Sequence, residues 1–96
     1  MLSWDDVLRV ESTIVTRESG GELVVVLPEK GKFVVLNATG ARVLRLSDGA
    51  RALREIADTI AAEFGADLAR VESDVLRFAQ SLIERGVLIV VKREVQ

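Results

Sequence analysis

The chain contains no cysteine, no histidine and no tyrosine, and each absence removes a class of chemistry. Without cysteine there is no disulfide, no thiolate nucleophile and no thiolate metal ligand. Without histidine the commonest general base, the usual partner of a nucleophilic serine and the commonest transition-metal ligand are all missing. The carboxylates, lysines and serines that remain are strewn over surfaces that strand and helix patterning puts in solvent. The expectation is a chain that is not an enzyme and holds no metal and no cofactor. No apolar run approaches the roughly 18 residues of a membrane span. Met1-Leu2-Ser3-Trp4-Asp5-Asp6 lacks the character of a signal peptide, so a cytoplasmic protein is expected. Cationic surplus is lacking too: 13 Lys and Arg face 15 Asp and Glu, for a net charge of −2. These charges are scattered, without the footprint of a nucleic-acid binder.

What is present suits a single domain over residues 1–96, since 49% hydrophobic content in 96 residues supports one core and not two. The stretch from Gly31 to Gly49 organises the rest, because an apolar strand there runs straight into a helix. Phe33, Val34, Val35 and Leu36 are strand formers. Asn37 is placed to cap a helix over Ala38 to Leu46. Gly40 inside that helix costs about 1 kcal/mol against alanine, which predicts another backbone in close approach. Asp48-Gly49 closes the unit as a turn.

Upstream, residues 3–9 fit either a short turn capped by Ser3 or an arm packed through Trp4, Val7 and Leu8. Val10 to Arg17 alternates well enough for a half-buried strand. Ser19-Gly20-Gly21 then turns the chain into a continuous apolar strand, Leu23 to Leu27, which Pro28 ends. With Glu29-Lys30-Gly31 as the next turn, three strands on short connections predict an antiparallel meander. Downstream, Leu53, Ile56, Ala57, Ile60 and Phe64 share one face of a helix stopped by Gly65. Asp67 is placed to cap a last helix, Leu68 to Arg85, closed by Gly86. Its core stripe is Val71, Val75, Phe78 and Leu82, and a second apolar line, Leu76, Ala79 and Ile83, runs beside it. Val87 to Val91 is strand-like and suits pairing with either the third strand or the first. The fold class predicted is α+β, a three-stranded antiparallel β-meander followed by three helices, with winged helix-turn-helix proportions.

Two of these features point to a binding function. The third strand, Lys32 to Leu36, has one edge without a sequence-neighbour partner, and the last helix carries more apolar surface than one neighbour needs. An extended peptide can add to such an edge, taking affinity from main-chain hydrogen bonds and specificity from side chains. A winged helix-turn-helix DNA binder is an alternative, with Leu68 to Arg85 in the major groove. On that helix, however, Arg70, Arg77 and Arg85 are offset by Glu72, Asp74 and Glu84, and counterion release needs a cationic surplus. A second alternative is an interaction module, in which two third strands pair as a weak antiparallel dimer.

The run Leu36-Asn37-Ala38-Thr39-Gly40-Ala41, then Leu44, then Asp48-Gly49, resembles the PqqD family of precursor-peptide recognition domains. Ile56-Ala57, Phe64, Val71, Asp74-Val75, Phe78, Leu82, Gly86 and Leu88 extend the likeness downstream, and Leu27-Pro28-Glu29 upstream, so that it spans about residues 10 to 90. The resemblance implies that the chain binds the leader segment of a ribosomally made precursor peptide antiparallel to the third strand and against the last helix. It assigns Lys32, Phe33, Val34, Val35 and Leu36 as the strand, and Glu72, Leu76, Ala79, Gln80 and Ile83 as the facing pocket. The implied partner is a separate processing enzyme. Asn37-Ala38-Thr39-Gly40-Ala41 is most similar to the B1 proteins of lasso-peptide pathways, which serve a cysteine-protease leader peptidase. Leu27-Pro28-Glu29 is closer to the cofactor-pathway members, which serve a radical enzyme.

Overall fold

The computed structural model describes residues 2–91. Within them the order is β1 (Val7–Val10), β2 (Val15–Ser19), β3 (Glu22–Leu27), a 3-10 turn (Pro28–Lys30), β4 (Lys32–Leu36), α1 (Ala38–Leu46), β5 (Asp48–Ala52), α2 (Leu53–Phe64), α3 (Leu68–Glu84) and β6 (Leu88–Val90). The strands form two antiparallel sheets, ordered β2-β3-β4 and β5-β1-β6. The α+β class and the meander are as the pattern implied; the second sheet is additional.

Strand alternation settles which way the meander faces. Leu23, Val25 and Leu27 of β3 are buried, and in register opposite them stand Leu36, Val34 and Lys32 of β4. These residues share the inner face, against the helices. Phe33 and Val35 therefore point outward with Val24 and Val26, and with Val15 opposite Val26 they make the outer face apolar. Phe33 is 67% exposed, Val15 54% and Val35 46%. The β3–β4 connection turns at Gly31, whose φ of 62° lies in the left-handed region that glycine enters without steric cost.

The expected first strand, Val10 to Arg17, is two strands broken by a turn. The Glu11 carboxylate accepts hydrogen bonds from the Thr13 N–H at 2.8 Å and the Thr13 hydroxyl at 2.6 Å, and the Ile14 N–H closes on the Glu11 carbonyl at 3.1 Å. A local side-chain acceptor of this kind competes with the ladder. Residues 3–6 form a turn, with the Asp6 N–H on the Ser3 carbonyl at 3.0 Å, and β1 follows it. Asp48-Gly49 begins a strand instead of ending the unit. The Asp48 carboxylate accepts from the Ala50 and Arg51 N–H groups, both at 3.0 Å. Those bonds, and then the Arg51 guanidinium, hold its pKa below the usual aspartate value. The C-terminal strand pairs with β1, Leu8 opposite Val90 and Val10 opposite Leu88, so that among the described residues no further strand pairs with β4.

The helices begin and end close to where the caps predicted. The Asn37 Oδ1 accepts from the Gly40 N–H at 3.0 Å. Gly65 ends α2 with φ 59°, and Asp67 occupies the cap position of α3 without a side-chain hydrogen bond. Phe64, expected on the core face of α2, is 46% exposed at the helix end. One core cluster joins both sheets to the three helices, with Leu8, Val25, Val43, Leu53, Ile56, Ile60, Val75, Leu82 and Leu88 at its centre. The buried Ser47 hydroxyl donates to the Val43 carbonyl at 2.6 Å. Ion pairs Arg42–Glu63 and Arg45–Glu18 tie α1 to α2 and to β2; pairs this exposed contribute about 0–1 kcal/mol each.

Candidate functional site

Two strands of the meander are edges, and their surroundings differ. Every residue of β2 is exposed, and Thr16, Arg17, Glu18 and Ser19 make it a solvated, charge-blunted edge. The free side of β4 has no strand on it among the described residues, and Lys32 and Val34 of this strand share a pocket with Glu84 and Arg85 at the end of α3. Its backbone N–H and C=O groups on that side are therefore open to an added strand, with Val34 on the inner face beside it.

The wall opposite is set by which flank of α3 turns toward β4. A Cβ added to Gly40 of α1 would lie 2.9 Å from Phe78 Cε1 and 3.3 Å from Leu36 Cβ, so Phe78, Leu36 and Gly40 meet at one end of the groove. What comes close to Gly40 is thus an aromatic ring, where a backbone was expected. At the other end, Lys30 Nζ donates to the Arg85 carbonyl at 3.3 Å. Leu27, Lys30, Lys32, Val34, Glu84 and Arg85 there line a pocket of about 210 Å³. Phe78 and Arg85 are seven residues apart, almost two full turns, so they lie on the same flank, with Ser81 between them. One turn before Phe78, Asp74 pairs with Arg77 at 2.8 Å, and the Arg77 guanidinium lies 6.0 Å from the Phe78 ring centroid.

The residues predicted from sequence divide accordingly. Lys32 and Val34 line the pocket, Leu36 shares their face of β4 but is buried, and the side chains of Phe33 and Val35 face outward. On α3 the expectation needs correction. Ala79 is fully buried with Val71, Val75 and Leu82, and so presents no surface. Leu76 and Ile83 lie roughly 140–160° around the helix from Phe78. Glu72 occupies the same far flank. The Asp5 hydrogen bond and charge, then the charges of Asp58 and Glu72, raise the Arg54 pKa, which places Glu72 on the α2 side. Gln80 is exposed, beyond Leu76 on the side away from the core. Phe78, expected in the core stripe, is half-buried and packs against the core cluster, with its ring edge close to Gly40.

The groove's pocket and two other depressions on the surface measure about 180, 210 and 250 Å³, below the ~300–1,000 Å³ of small-molecule sites. Among the described residues no three carboxylates, cysteines or histidines cluster as metal ligands, and no helix is long and apolar enough to cross a membrane.

The family model described as coenzyme PQQ synthesis protein D (PqqD) matches residues 22–88. A PqqA binding protein of Xanthomonas euvesicatoria pv. vesicatoria (strain 85-10) is 37% identical over 65 residues, 68% of this chain and 68% of that protein. One from Rhodopseudomonas palustris (strain HaA2) is 34% identical over 65 residues, again 68% of this chain; the match spans only 62% of that protein's length. Among solved structures, the PqqD truncation of Methylobacterium extorquens PqqCD, a stand-alone recognition element for ribosomally synthesised, post-translationally modified peptides, superposes with TM-score 0.78 and 27% identity. The superposition covers 93% of this chain and 95% of that one. TbiB1 in complex with the TbiA(beta) leader peptide superposes with TM-score 0.75 at 26% identity, covering 88% and 99%.

Proposed function

The chain belongs to the PqqD family, and from that premise we propose that it binds the leader segment of a ribosomally made precursor peptide and presents it to a separate processing enzyme. The leader adds to β4 as an antiparallel strand. Backbone hydrogen bonds come from Lys32 to Leu36, and leader side chains on the inner face drop between the strand and the Phe78, Ser81 and Arg85 flank of α3. The observation that carries this reading is the open edge of β4 beside the Phe78, Ser81 and Arg85 flank of α3, when the other edge of the same sheet is solvated and charged. The processing enzyme is either a cysteine-protease leader peptidase of the lasso-peptide kind or a radical enzyme of the cofactor-pathway kind.

One or two buried apolar anchors at roughly 1.5–3 kcal/mol each, with several backbone bonds at about 0.5–1.5, work against about 2–5 kcal/mol of peptide ordering. Dissociation constants from micromolar to tens of nanomolar are expected on that scale. The test is titration of labelled precursor peptides, PqqA and the TbiA(beta) leader, into three folded proteins: the wild type, Phe78→Ala and Leu76→Gln. Phe78→Ala is expected to weaken binding at least tenfold and Leu76→Gln to stay within about twofold, after loss of a buried ring contact in the first variant only. The reverse ranking would move the site to the other flank of α3, and no binding to the wild type would reject the reading.

A further inference from the structure

The two ends of the groove differ in chemistry. At the Leu36 end the wall is the Phe78 ring, and the nearest charges, Asp74 and Arg77, neutralise one another at 2.8 Å. At the Lys32 end the pocket holds three cations, Lys30, Lys32 and Arg85, against one carboxylate, Glu84. Elsewhere on the surface Arg42, Arg45, Arg51, Arg54 and Arg77 each carry a carboxylate partner. None of the three pocket cations has one among the described residues. Lys30 is committed to the Arg85 carbonyl at the C-terminus of α3, where a cation is favoured by the helix dipole. The Arg85 Nε reaches only the Ser81 hydroxyl, at 3.3 Å. Lys32 makes no side-chain hydrogen bond within the described residues, and it stands on the inner face of β4 in register with Leu27.

We infer that this pocket receives a carboxylate side chain of the leader, so that the peptide is read as an apolar residue followed by Asp or Glu at a fixed distance. The inference rests on the leader-binding reading above. Spacing follows from geometry. Leu36, beside Phe78, and Lys32, in the pocket, are four residues apart on the same face of β4. Along α3, Phe78 to Arg85 rises about 10.5 Å, which an extended chain covers in about three residues at ~3.3 Å each. Only even steps return a side chain to the same face, so the acid falls four positions from the apolar residue, with two as the shorter solution. Because the leader runs antiparallel to β4, the acid lies C-terminal to the anchor, on the side of the segment that the enzyme will process. A carboxylate there meets the Lys32 ammonium and the Arg85 guanidinium in charge-assisted hydrogen bonds, while Asn or Gln gains neither charge.

The experiment is selection from a displayed library of random twelve-residue peptides on the full chain. Selected peptides are then titrated as Asp, Asn and Lys versions at the enriched position into the wild type, Lys32→Gln and Arg85→Gln. The expected result is Asp or Glu enriched four residues after an apolar position. An affinity preference for Asp over Asn of about fivefold should shrink with salt and be lost in either variant, as for a half-exposed charge pair. Amide shifts of β4 on peptide addition report whether the peptide sits on this strand. Peptides that shift β4 but show no acid preference, or a preference unchanged in both variants, overturn the acidic reading alone. Selected peptides that leave β4 unmoved, or a library with no binders, overturn the leader-binding reading and this one with it.

Discussion

At the scale of single residues, Gly40 and Phe78 are the pair on which the groove depends. A methyl on Gly40 would gain about 1 kcal/mol of helix propensity. It would also press on the Phe78 ring at 2.9 Å and on Leu36 Cβ at 3.3 Å. The ring is at the end of a side chain and can swing, whereas Leu36 Cβ is fixed to the strand. Gly40→Ala is therefore expected to change stability by no more than about 2 kcal/mol, overpacking set against propensity. Leader affinity should fall severalfold more than stability accounts for, because the displaced ring enters the space the leader needs. Urea melts beside leader titrations would show this, and full affinity in Gly40→Ala would mean that the ring position is not part of the site. Local residue chemistry of this kind was largely legible in the sequence. Asn37 was identified as a cap because its side chain can accept from a free N–H of the first helical turn, as it does from Gly40, and Gly65 as a stop because glycine readily takes the left-handed conformation it holds. The purpose of Gly40 was half legible: the need for space was evident, but its occupant was not.

For the elements, the strand edge makes the sharper prediction. Successive residues of an antiparallel strand direct their N–H and C=O groups to opposite sides, and proline deletes the donor it replaces. Proline at Phe33 and proline at Val35 should therefore share one phenotype and proline at Val34 the other. Where the N–H pairs with β3, the variant should unfold at lower temperature, and where it points away, the variant should stay folded and lose the leader. Circular dichroism melts with leader titrations on the three variants will check this, and three folded variants with undiminished affinity would contradict strand addition. The limits of sequence reading also lie at this scale. Apolar periodicity gave the direction of the core on α3, and Val71, Val75 and Leu82 are buried as expected. It could not say which neighbour stands on which flank, because that depends on how α2 and β4 are arranged around the helix. Leu76 and Ile83 were expected as the wall; helical spacing sets them roughly 140–160° around α3 from Phe78, and the wall proposed above combines Phe78 with polar Ser81 and Arg85. The β1–β5–β6 sheet was missed for a related reason. Its strands are three to five residues long, and only pairing between distant segments makes them strands.

At the scale of the whole molecule, the sheet β2-β3-β4 has helices on one face only among the described residues. Its outer face gathers Val15, Val24, Val26, Phe33 and Val35, and the exposed three of these adjoin or belong to edge strands. The open edge of β4 thus carries the most exposed large apolar residue, Phe33. In solution this is a matter of colloidal behaviour: without a leader, the protein presents unpaired main-chain groups bordered by apolar side chains, the combination that promotes edge-to-edge association. Light scattering at rising concentration should show an attractive interparticle interaction, which a saturating leader reduces by occupying the edge. Phe33→Lys, a charge on the outer face beside that edge, should reduce it without a leader. Scattering that responds to neither treatment would place the attraction elsewhere on the surface. The leader would then act on the protein as well as being carried by it, as the strand whose absence leaves the sheet sticky and whose arrival makes the particle soluble enough to travel to its enzyme.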